Sequence, residues 1–372
     1  MGAAGYSGYS GYSGYSGYSG YSGYSGYSGG GSLGAHAGGP SSSLMNAALV
    51  STRDGIGGYW NTQVTDPIPD LGKPDDKDIF YLRLPLRARM LDHALASSAQ
   101  VRALTDNGST SGAGVSFVPQ WDGSNDIQPA SLVDIHRQTL DVQQMRGQLE
   151  LVRSYADLRI DRVAEIQVQQ DDILSFYGAI SLLDEQRRLR SLELLGAVVR
   201  FLIFVEMQVK HLCRFARPVD LDTRVQPMIQ TPDHSSFPSG HATEAFAVAT
   251  VMHRLMTGEG PRAGVKSGAQ VFRLATRIAV NRTIAGVHFP MDSAAGGVLG
   301  CAMGEHIFAL AMGQDNRTKL NFDTLADYSE DFSLDWLEQS LGDPAQDYAT
   351  PSTPDESTII GNFWKQARVE WP

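Results

Sequence analysis

The chain of 372 residues is long enough for one large domain or two ordinary ones and can bury a sizeable core. Its 30 Lys and Arg against 41 Asp and Glu give a formal net charge of −11, which argues against a general binder of nucleic acid or anionic membranes. Two cysteines, Cys213 and Cys301, are too few for a disulfide scaffold or a four-thiolate zinc site.

The N-terminal segment is a low-complexity repeat. Residues 5 to 28 are eight Gly-Tyr-Ser triplets, whose glycines and lack of aliphatic side chains predict a flexible coil. This coil is either an inert linker or a tyrosine tail that self-associates. We expect a tail and linker over residues 1–44 and an irregular lead-in over 45–76. No basic segment leads into an apolar one, so we expect no secretory signal peptide and favour the cytoplasm.

Helical periodicity dominates the body of the chain, which we expect to span residues 77–314. Apolar residues recur every three or four positions in segments that contain few Gly or Pro. The segments predict helices near 88–105, 130–153, 156–182, 186–216, 240–257, 269–284 and 292–313, separated by breaks such as 107–114. The sequence therefore predicts an all-α helical bundle, followed by an acidic C-terminal extension over 315–372 that wraps around the body or frays.

Two of these apolar segments resemble membrane spans in length. Residues 192–212 include Glu206 and Lys210, and residues 293–313 include Glu305, so neither offers about 18 uninterrupted apolar residues. We expect buried helices and no membrane span. The glycines at 296, 297, 300 and 304 indicate close helix packing.

The first of three chemical motifs lies at the end of the longest predicted helix. Lys210 and Arg217 are seven residues, or two helical turns, apart, so both should project from one face about 10 Å apart along the axis. Pro218 should then end the helix. A solvated basic helix end, favourable to the helix dipole, is the alternative.

The second motif is the segment from 231 to 243. It predicts a loop that delivers Ser239 to a helix N-terminus, where free backbone N–H groups favour an oxyanion. Gly240 lets that backbone approach closely, and His234 and His241 flank the serine. A structural N-cap would explain Ser239 alone but neither histidine.

The third motif runs from 281 to 292. Arg282 offers a planar fork of donors suited to tetrahedral oxyanions. Gly286 and Pro290 indicate a turn that aims His288 sideways, where Asp292 can orient its imidazole. Such support suits a nucleophile or a metal ligand, although a lone His beside a Pro is commonly structural.

Taken in order, Lys-x6-Arg-Pro, Pro-Ser-Gly-His and Arg-x5-His-x3-Asp closely resemble the signature of the type 2 phosphatidic acid phosphatase and vanadium-dependent haloperoxidase superfamily. The resemblance is confined to about residues 207–300, and the helix-rich remainder is compatible with the family's all-α bundle. One departure is Asn281, where many phosphatases of the group have Ser.

The resemblance implies one anion pocket. Lys210, Arg217 and Arg282 would surround a tetrahedral oxyanion, to which Ser239 and the Gly240 N–H would donate hydrogen bonds. Residues 205–290 hold 10 basic and 6 acidic residues, a local net charge of +4 (10 − 6). A positive pocket in an acidic chain fits this interpretation.

Two activities follow from the resemblance, depending on the anion. If it is vanadate, His288 is the vanadium ligand, hydrogen peroxide binds the vanadium, and bromide or iodide is oxidised to a hypohalous species that halogenates a small organic acceptor. His241 would then manage protons, and Lys210 would polarise the peroxide. If the anion is a substrate phosphate, no cofactor is needed. His288 then forms a phosphohistidine, Asp292 orients it, and His241 protonates the leaving oxygen.

Two positions bear on this choice. His234 lies five residues before Ser239, where algal bromoperoxidases of the family similarly carry His, which favours a vanadium-dependent haloperoxidase and gives His234 a catalytic role. Met207 matches neither the Arg nor the Trp of the peroxidases. We therefore expect a haloperoxidase first, a soluble phosphatase second, and a non-catalytic anion-binding or assembly protein third. A homo-oligomer is compatible with all three.

Overall fold

The computed structural model describes residues 43–57, 78–119, 129–137, 139–314, 319–322, 331–342 and 353–372. The Gly-Tyr-Ser repeat lies outside them. Helix α1 (Ser43–Gly57) belongs to a separate unit and lies mostly in the stretch expected to be irregular. Its Ala and Leu residues are strong helix formers, which accounts for the difference. The described residues from 78 onward belong to the second unit.

Helices dominate the described part of the second unit, which confirms the predicted helical bundle. They are α2 (Leu84–Ser97), α3 (Val142–Tyr155), α4 (Arg159–Val168), α5 (Leu174–Ser181), α6 (Leu189–Cys213), α7 (Pro218–Leu221), α8 (Gly240–Thr257), α9 (Pro261–Lys266), α10 (Gln270–Ile284), α11 (Pro290–Ala311), α12 (Leu334–Ser340) and α13 (Ile359–Arg368). The strands are β1 (Ala99–Asp106), β2 (Ser109–Phe117), β3 (Ala130–His136) and β4 (Leu320–Phe322).

The four strands form one small sheet in the order β1-β2-β3-β4, so the description all-α is approximate. The first two pairs are antiparallel, and β4 joins β3 in parallel. Buried Val115 and Val133 belong to the same hydrophobic core as helices α6 and α11. The hairpin between β1 and β2 turns at Asn107 and Gly108, whose φ angles of 49° and 81° suit a two-residue turn.

Helical periodicity wrongly predicts helix for parts of these strands. The helix predicted to reach residue 105 ends at Ser97, and the one predicted from 130 begins at Val142. In β3, adjacent Leu132 and Val133 are both buried, so the strand lacks the alternation that identifies a half-exposed strand. The expected break at 107–114 contains both the Asn107-Gly108 hairpin turn and most of β2.

Helices α8 and α11 pack side by side and run in the same direction. Gly296 near the start of α11 lies against Ser239 and Thr243 at the start of α8, and Gly304 further along lies against Thr250. The predicted close packing of these glycines is confirmed. Because the two helices are parallel, their N-termini lie at the same end of the bundle.

A buried ion pair links the same two helices further along. The Arg254 guanidinium donates from Nε to Oε1 of Glu305 at 2.8 Å and from Nη2 to Oε2 at 2.5 Å. It also lies over the ring of Phe308, 4.1 Å from the centroid. A buried charge of this kind is tolerated because it is paired and hydrogen-bonded.

The described part of the C-terminal extension wraps around the bundle. Helix α13 buries Phe363 and Trp364, and the following Glu370 accepts hydrogen bonds from the backbone N–H groups of Arg190 and Ser191 at 2.7 and 2.8 Å. Those N–H groups belong to the first turn of α6 and have no partner within the helix. The end of the chain therefore caps the helix that carries Lys210.

Among the described residues, α11 alone is long and apolar enough to cross a membrane, and 89% of its most apolar window is buried inside the protein. A core helix shows the same properties.

We expect Gly300→Ala to lower the free energy of unfolding by about 1–3 kcal/mol, the usual cost of overpacking. The added Cβ would meet the carbonyl oxygen of Thr243 and lie 3.0 Å from the backbone nitrogen of Ala247, so α8 would have to shift. Denaturant titration measures the loss.

Gly297→Ala on the same helix is the matched control. Its added Cβ would meet only side-chain carbons of Leu337 and Phe246, at 3.4 to 3.6 Å. Alanine is the better helix former by about 1 kcal/mol, so this variant should be at least as stable as the parent. Equal losses in the two variants would contradict the close contact between α8 and α11.

Candidate active site

A cavity of about 260 Å³ opens at the N-terminal end of α8. Most of the residues predicted from the three motifs line it. They are Lys210, Arg217, His234, Gly240, His241, Arg282 and His288. The other two, Ser239 and Asp292, are fully buried, and the backbone N–H of Ser239 donates to the carbonyl of Asp292 at 2.8 Å. The structure thus brings three distant parts of the sequence to one place.

Lys210 lies in the last turn of α6, as expected, but Arg217 does not lie on that helix. The helix ends at Cys213, because Arg214 adopts a φ of 40° and turns the chain. Arg217 follows in an extended conformation, and Pro218 begins the short helix α7 rather than ending α6. The prediction of one helical face for both cations is therefore wrong, although both reach the cavity.

Backbone carbonyl groups hold the two cations in place. Lys210 Nζ donates to the carbonyls of Ser235, at 3.3 Å, and Pro238. Arg217 donates from Nε to the carbonyl of His234 at 3.1 Å and from Nη1 to that of Val287 at 2.9 Å. Burial lowers the pKa of Arg217 to about 10 and that of Lys210 to about 8, so both groups stay largely protonated at neutral pH.

Ser239 occupies the N-cap position of α8, but its side chain does not cap the helix. Its hydroxyl is buried and has no hydrogen-bond partner in the described part of the chain. A structural N-cap serine would accept a hydrogen bond from the first turn. The hydroxyl and the free N–H groups of this helix start are instead available to an anion.

Arg282, near the end of α10, is also only partly satisfied. Its Nη2 donates to Oε1 of Gln169 at 3.1 Å and to the carbonyl of Ile166 at 3.3 Å. Its Nε and Nη1 are buried and, within the described ranges, without a hydrogen-bond partner. Buried donors without partners are costly, so these atoms mark a place where a ligand is expected.

Both ring nitrogens of His288 have a hydrogen-bond partner. Its Nδ1 lies 3.0 Å from Oδ2 of Asp292, which also accepts from the backbone N–H of Phe289 at 3.0 Å. Its Nε2 lies 3.3 Å from Nη1 of Arg217. Because a guanidinium can only donate, Nε2 must be the accepting nitrogen and Nδ1 must carry the proton. The turn before it is made by Gly286, with a φ of 81°.

The electrostatics of the cavity keep this imidazole neutral. Burial lowers the pKa of His288 well below its ordinary value, and the nearby charges of Arg217 and Lys210 lower it further. Burial raises the pKa of Asp292 to about 7, an effect opposed by the Phe289 N–H and the same cations. A neutral imidazole with its lone pair on Nε2 can act as a nucleophile at neutral pH.

The other two histidines face different partners. His241 places Nε2 2.8 Å from the carbonyl oxygen of Gln169, which requires that nitrogen to donate. Burial, followed by the charge of Arg282, lowers the pKa of His241 to about 3. His234 places Nδ1 3.2 Å from Nη2 of Arg217, and burial lowers its pKa to about 4. All three imidazoles are therefore neutral near pH 7.

Three site residues were missed by motif matching. Gln169 lies where the helix predicted over 156–182 is interrupted between α4 and α5, and it orients both Arg282 and His241. Glu206 and Glu244 line the cavity. The sequence could have identified both glutamates by helical spacing, since Glu206 lies one helical turn before Lys210 and Glu244 lies one turn after Gly240.

The arrangement suits a tetrahedral oxyanion in front of a neutral nucleophile. Three cations and the buried donors of Ser239 and Arg282 can share its oxygens, and they do not distinguish phosphate from vanadate. No group of three or more His, Cys, Asp or Glu side chains that could hold a metal ion occurs within the described ranges.

Comparison with known proteins agrees with the geometry. The profile of the PAP2 superfamily matches residues 191–315, which include every residue predicted for the site. The chain is similar to the decaprenylphosphoryl-5-phosphoribose phosphatase of Mycobacterium tuberculosis, from the CDC 1551 / Oshkosh and the ATCC 25618 / H37Rv strains. The sequences are 31% identical over 147 residues, which cover 40% of this chain and 75% of the relative. The chain belongs to the PAP2 superfamily.

Proposed function

We propose that the protein is a phosphatase that hydrolyses phosphate monoesters through a phosphohistidine at His288. The observation that carries the proposal is the state of His288, a neutral imidazole with Nδ1 held by Asp292 and Nε2 directed to Arg217. The named relatives are phosphatases, which supports the same choice.

In the first step Nε2 of His288 attacks the phosphorus while the P–O bond to the ester breaks, and the oxygen leaves with the bonding electrons and is protonated to the alcohol or phenol. The proton on Nδ1 stays next to Asp292, whose carboxylate stabilises the positive charge that develops on the ring. The Phe289 N–H fixes the Asp292 carboxylate, so the ring cannot turn without breaking its own buried hydrogen bond to Oδ2. Water then attacks the phosphohistidine and releases phosphate.

The surrounding donors bind the phosphate and stabilise its transition state. Lys210, Arg217 and Arg282 supply charge, and Ser239 with the Gly240 N–H supplies hydrogen bonds from the start of α8. Backbone carbonyls fix the positions of Lys210 and Arg217, so little reorganisation of these two cations opposes the reaction.

The haloperoxidase interpretation, which the sequence analysis placed first, is not supported by the comparisons, whose named relatives are phosphatases. Vanadate fits the same donors and, when bound, would supply the peroxide and halide chemistry. Nδ1 of His234 lies 3.2 Å from Nη2 of Arg217 and 3.2 Å from the carbonyl oxygen of Ser235, and this placement beside a cation that either anion would contact serves both.

A side-by-side assay distinguishes the two activities. We expect the protein without vanadate to hydrolyse p-nitrophenyl phosphate, and we expect vanadate to inhibit competitively because it takes the place of phosphate. Halogenation of an activated phenol with vanadate, peroxide and bromide or iodide, without ester hydrolysis, would restore the haloperoxidase interpretation. Absence of both activities would favour an anion-binding protein.

His288→Ala should lower kcat by about 10³-fold or more and abolish the covalent phosphoenzyme, because the nucleophile is gone. Inorganic phosphate should still bind within about tenfold of the parent affinity, since the three cations remain. Quenching in base and ³¹P NMR measure the phosphohistidine, and calorimetry measures binding. His211→Ala, an exposed histidine next to Lys210, is the control and should match the parent. A phosphoenzyme in His288→Ala would exclude His288 as the nucleophile.

Ser239→Ala should weaken vanadate binding by about 10- to 100-fold, the value of a hydrogen bond to a charged group, without lowering Tm. The hydroxyl has no hydrogen-bond partner within the described ranges, so its removal costs no hydrogen bond to them. Ser333→Ala is the matched control, because Ser333 does cap its helix by accepting from the Trp336 N–H. It should lose about 0.5–2 kcal/mol of stability and keep its vanadate affinity. The reverse pattern would make Ser239 a structural cap.

A further inference from the structure

One fully buried polar residue next to Arg282 has no part in the mechanism described so far. It is Asn281, which precedes Arg282 on α10 and stands where the third motif departs from many phosphatases of its group. Burying an amide costs free energy unless its hydrogen-bonding groups find partners. The partners of Asn281 therefore indicate what the residue does.

The side-chain amide of Asn281 is fully used by α4 and the residue that follows this helix. Its Nδ2 donates to Oε1 of Gln169 at 2.9 Å and to Oε2 of Glu165 at 3.1 Å. Its Oδ1 accepts from Nη1 of Arg162 at 3.1 Å. Both amide hydrogens are thus engaged, and a side chain with a single donor proton could not replace them.

The same partners fix which way round this amide lies. A hydrogen bond from Arg277 lowers the pKa of Glu165, so the Glu165 carboxyl is ionised near neutral pH and can only accept. The guanidinium of Arg162 can only donate. Nδ2 of Asn281 must therefore face Glu165 and Gln169, and Oδ1 must face Arg162.

Gln169 connects Asn281 to the cavity. Its Oε1 accepts from Nδ2 of Asn281 and also from Nη2 of Arg282, at 3.1 Å. Its Nε2 is buried and has no hydrogen-bond partner among the described residues. Because turning the amide over would place Nε2 against two donors, the contacts with Asn281 and Arg282 determine its orientation.

Arg282 depends on a side-chain contact more than the other two cations of the cavity do. Lys210 and Arg217 each donate to at least two backbone carbonyls. Arg282 donates to one, that of Ile166, at 3.3 Å, and its shorter hydrogen bond is the one to Gln169. Without Gln169, a single long hydrogen bond would hold the guanidinium whose Nε and Nη1 are without partners in the described ranges.

We infer that Asn281 and Gln169 are positioning residues that direct the free donors of Arg282 toward the bound oxyanion. Asn281 holds the amide of Gln169, and Gln169 holds the guanidinium. The inference rests on the proposed function, which makes Arg282 a phosphate-binding residue. It adds two residues that act on the phosphate through Arg282 without contacting it.

The first test measures the affinity for inorganic phosphate by calorimetry. Gln169→Leu removes an acceptor from a charged donor, so the Kd should rise by about 10- to 100-fold. Asn281→Ser leaves one donor proton at most, so the Kd should rise by about 2- to 10-fold. Gln167→Leu, which replaces an exposed glutamine of α4, is the control and should match the parent. The Tm shows whether each variant folds, and the milder Asn281→Ser decides the case if Gln169→Leu does not.

A double-mutant cycle with Arg282→Ala shows whether the two residues act through Arg282. Lys210 and Arg217 remain in Arg282→Ala, so phosphate binding should be weaker but measurable. In this background Asn281→Ser and Gln169→Leu should change the Kd by less than about twofold, because the group that they position is gone. A merely structural role would weaken binding equally in both backgrounds.

The outcomes separate this inference from the proposed function. An unchanged Kd in Asn281→Ser and Gln169→Leu, or losses that persist in Arg282→Ala, would overturn the inference alone if the parent hydrolyses p-nitrophenyl phosphate. A parent protein that neither hydrolyses this ester nor binds inorganic phosphate would overturn both.

Discussion

The site depends on the contact between α8 and α11. Two parallel helices can lie this close only because glycines on α11 face the backbone of α8, as Gly296 does against Ser239. The contact brings both N-termini to one end of the bundle, and the hydrogen bond from the Ser239 N–H to the Asp292 carbonyl joins them. Two helix starts that carry partial positive charge then lie at the same end of the bundle, and the start of α8 lines the cavity.

The cavity contains buried cations that repel one another, and a bound tetrahedral oxyanion would lower this electrostatic repulsion. Lys210 and Arg217 are buried and rely on backbone carbonyls for solvation, while Arg282 keeps two donors without partners in the described part of the chain. Burial raises the pKa of the nearby carboxyls of Glu206, Glu244 and Asp292, and the charges of the cations oppose that rise. A site of this kind is arranged for a transition state and not for its own stability, which is how enzymes commonly use preorganised charge.

The long helices follow from sequence because helical periodicity is local. Helices α8, α10 and α11 begin and end within about two residues of the predicted bounds. The sheet was not predicted from the sequence, because β3 is buried and its apolar residues do not alternate with polar ones. The end of α6 was also misplaced, since Arg214, which has no helix-breaking side chain, makes the turn that Pro218 was expected to make.

The sequence by itself predicted most of the residues that line the cavity, because they lie in three short motifs whose order is readable without a fold, but it did not decide between phosphate and vanadate. Only the tertiary structure decided which nitrogen of His288 carries the proton, that the N–H of His241 points to Gln169, and that Glu206 lies against Gly240. The physical reason is that tautomers and protonation states depend on burial and on partners from distant segments. The spacing of residues within a motif does not determine contacts with distant segments.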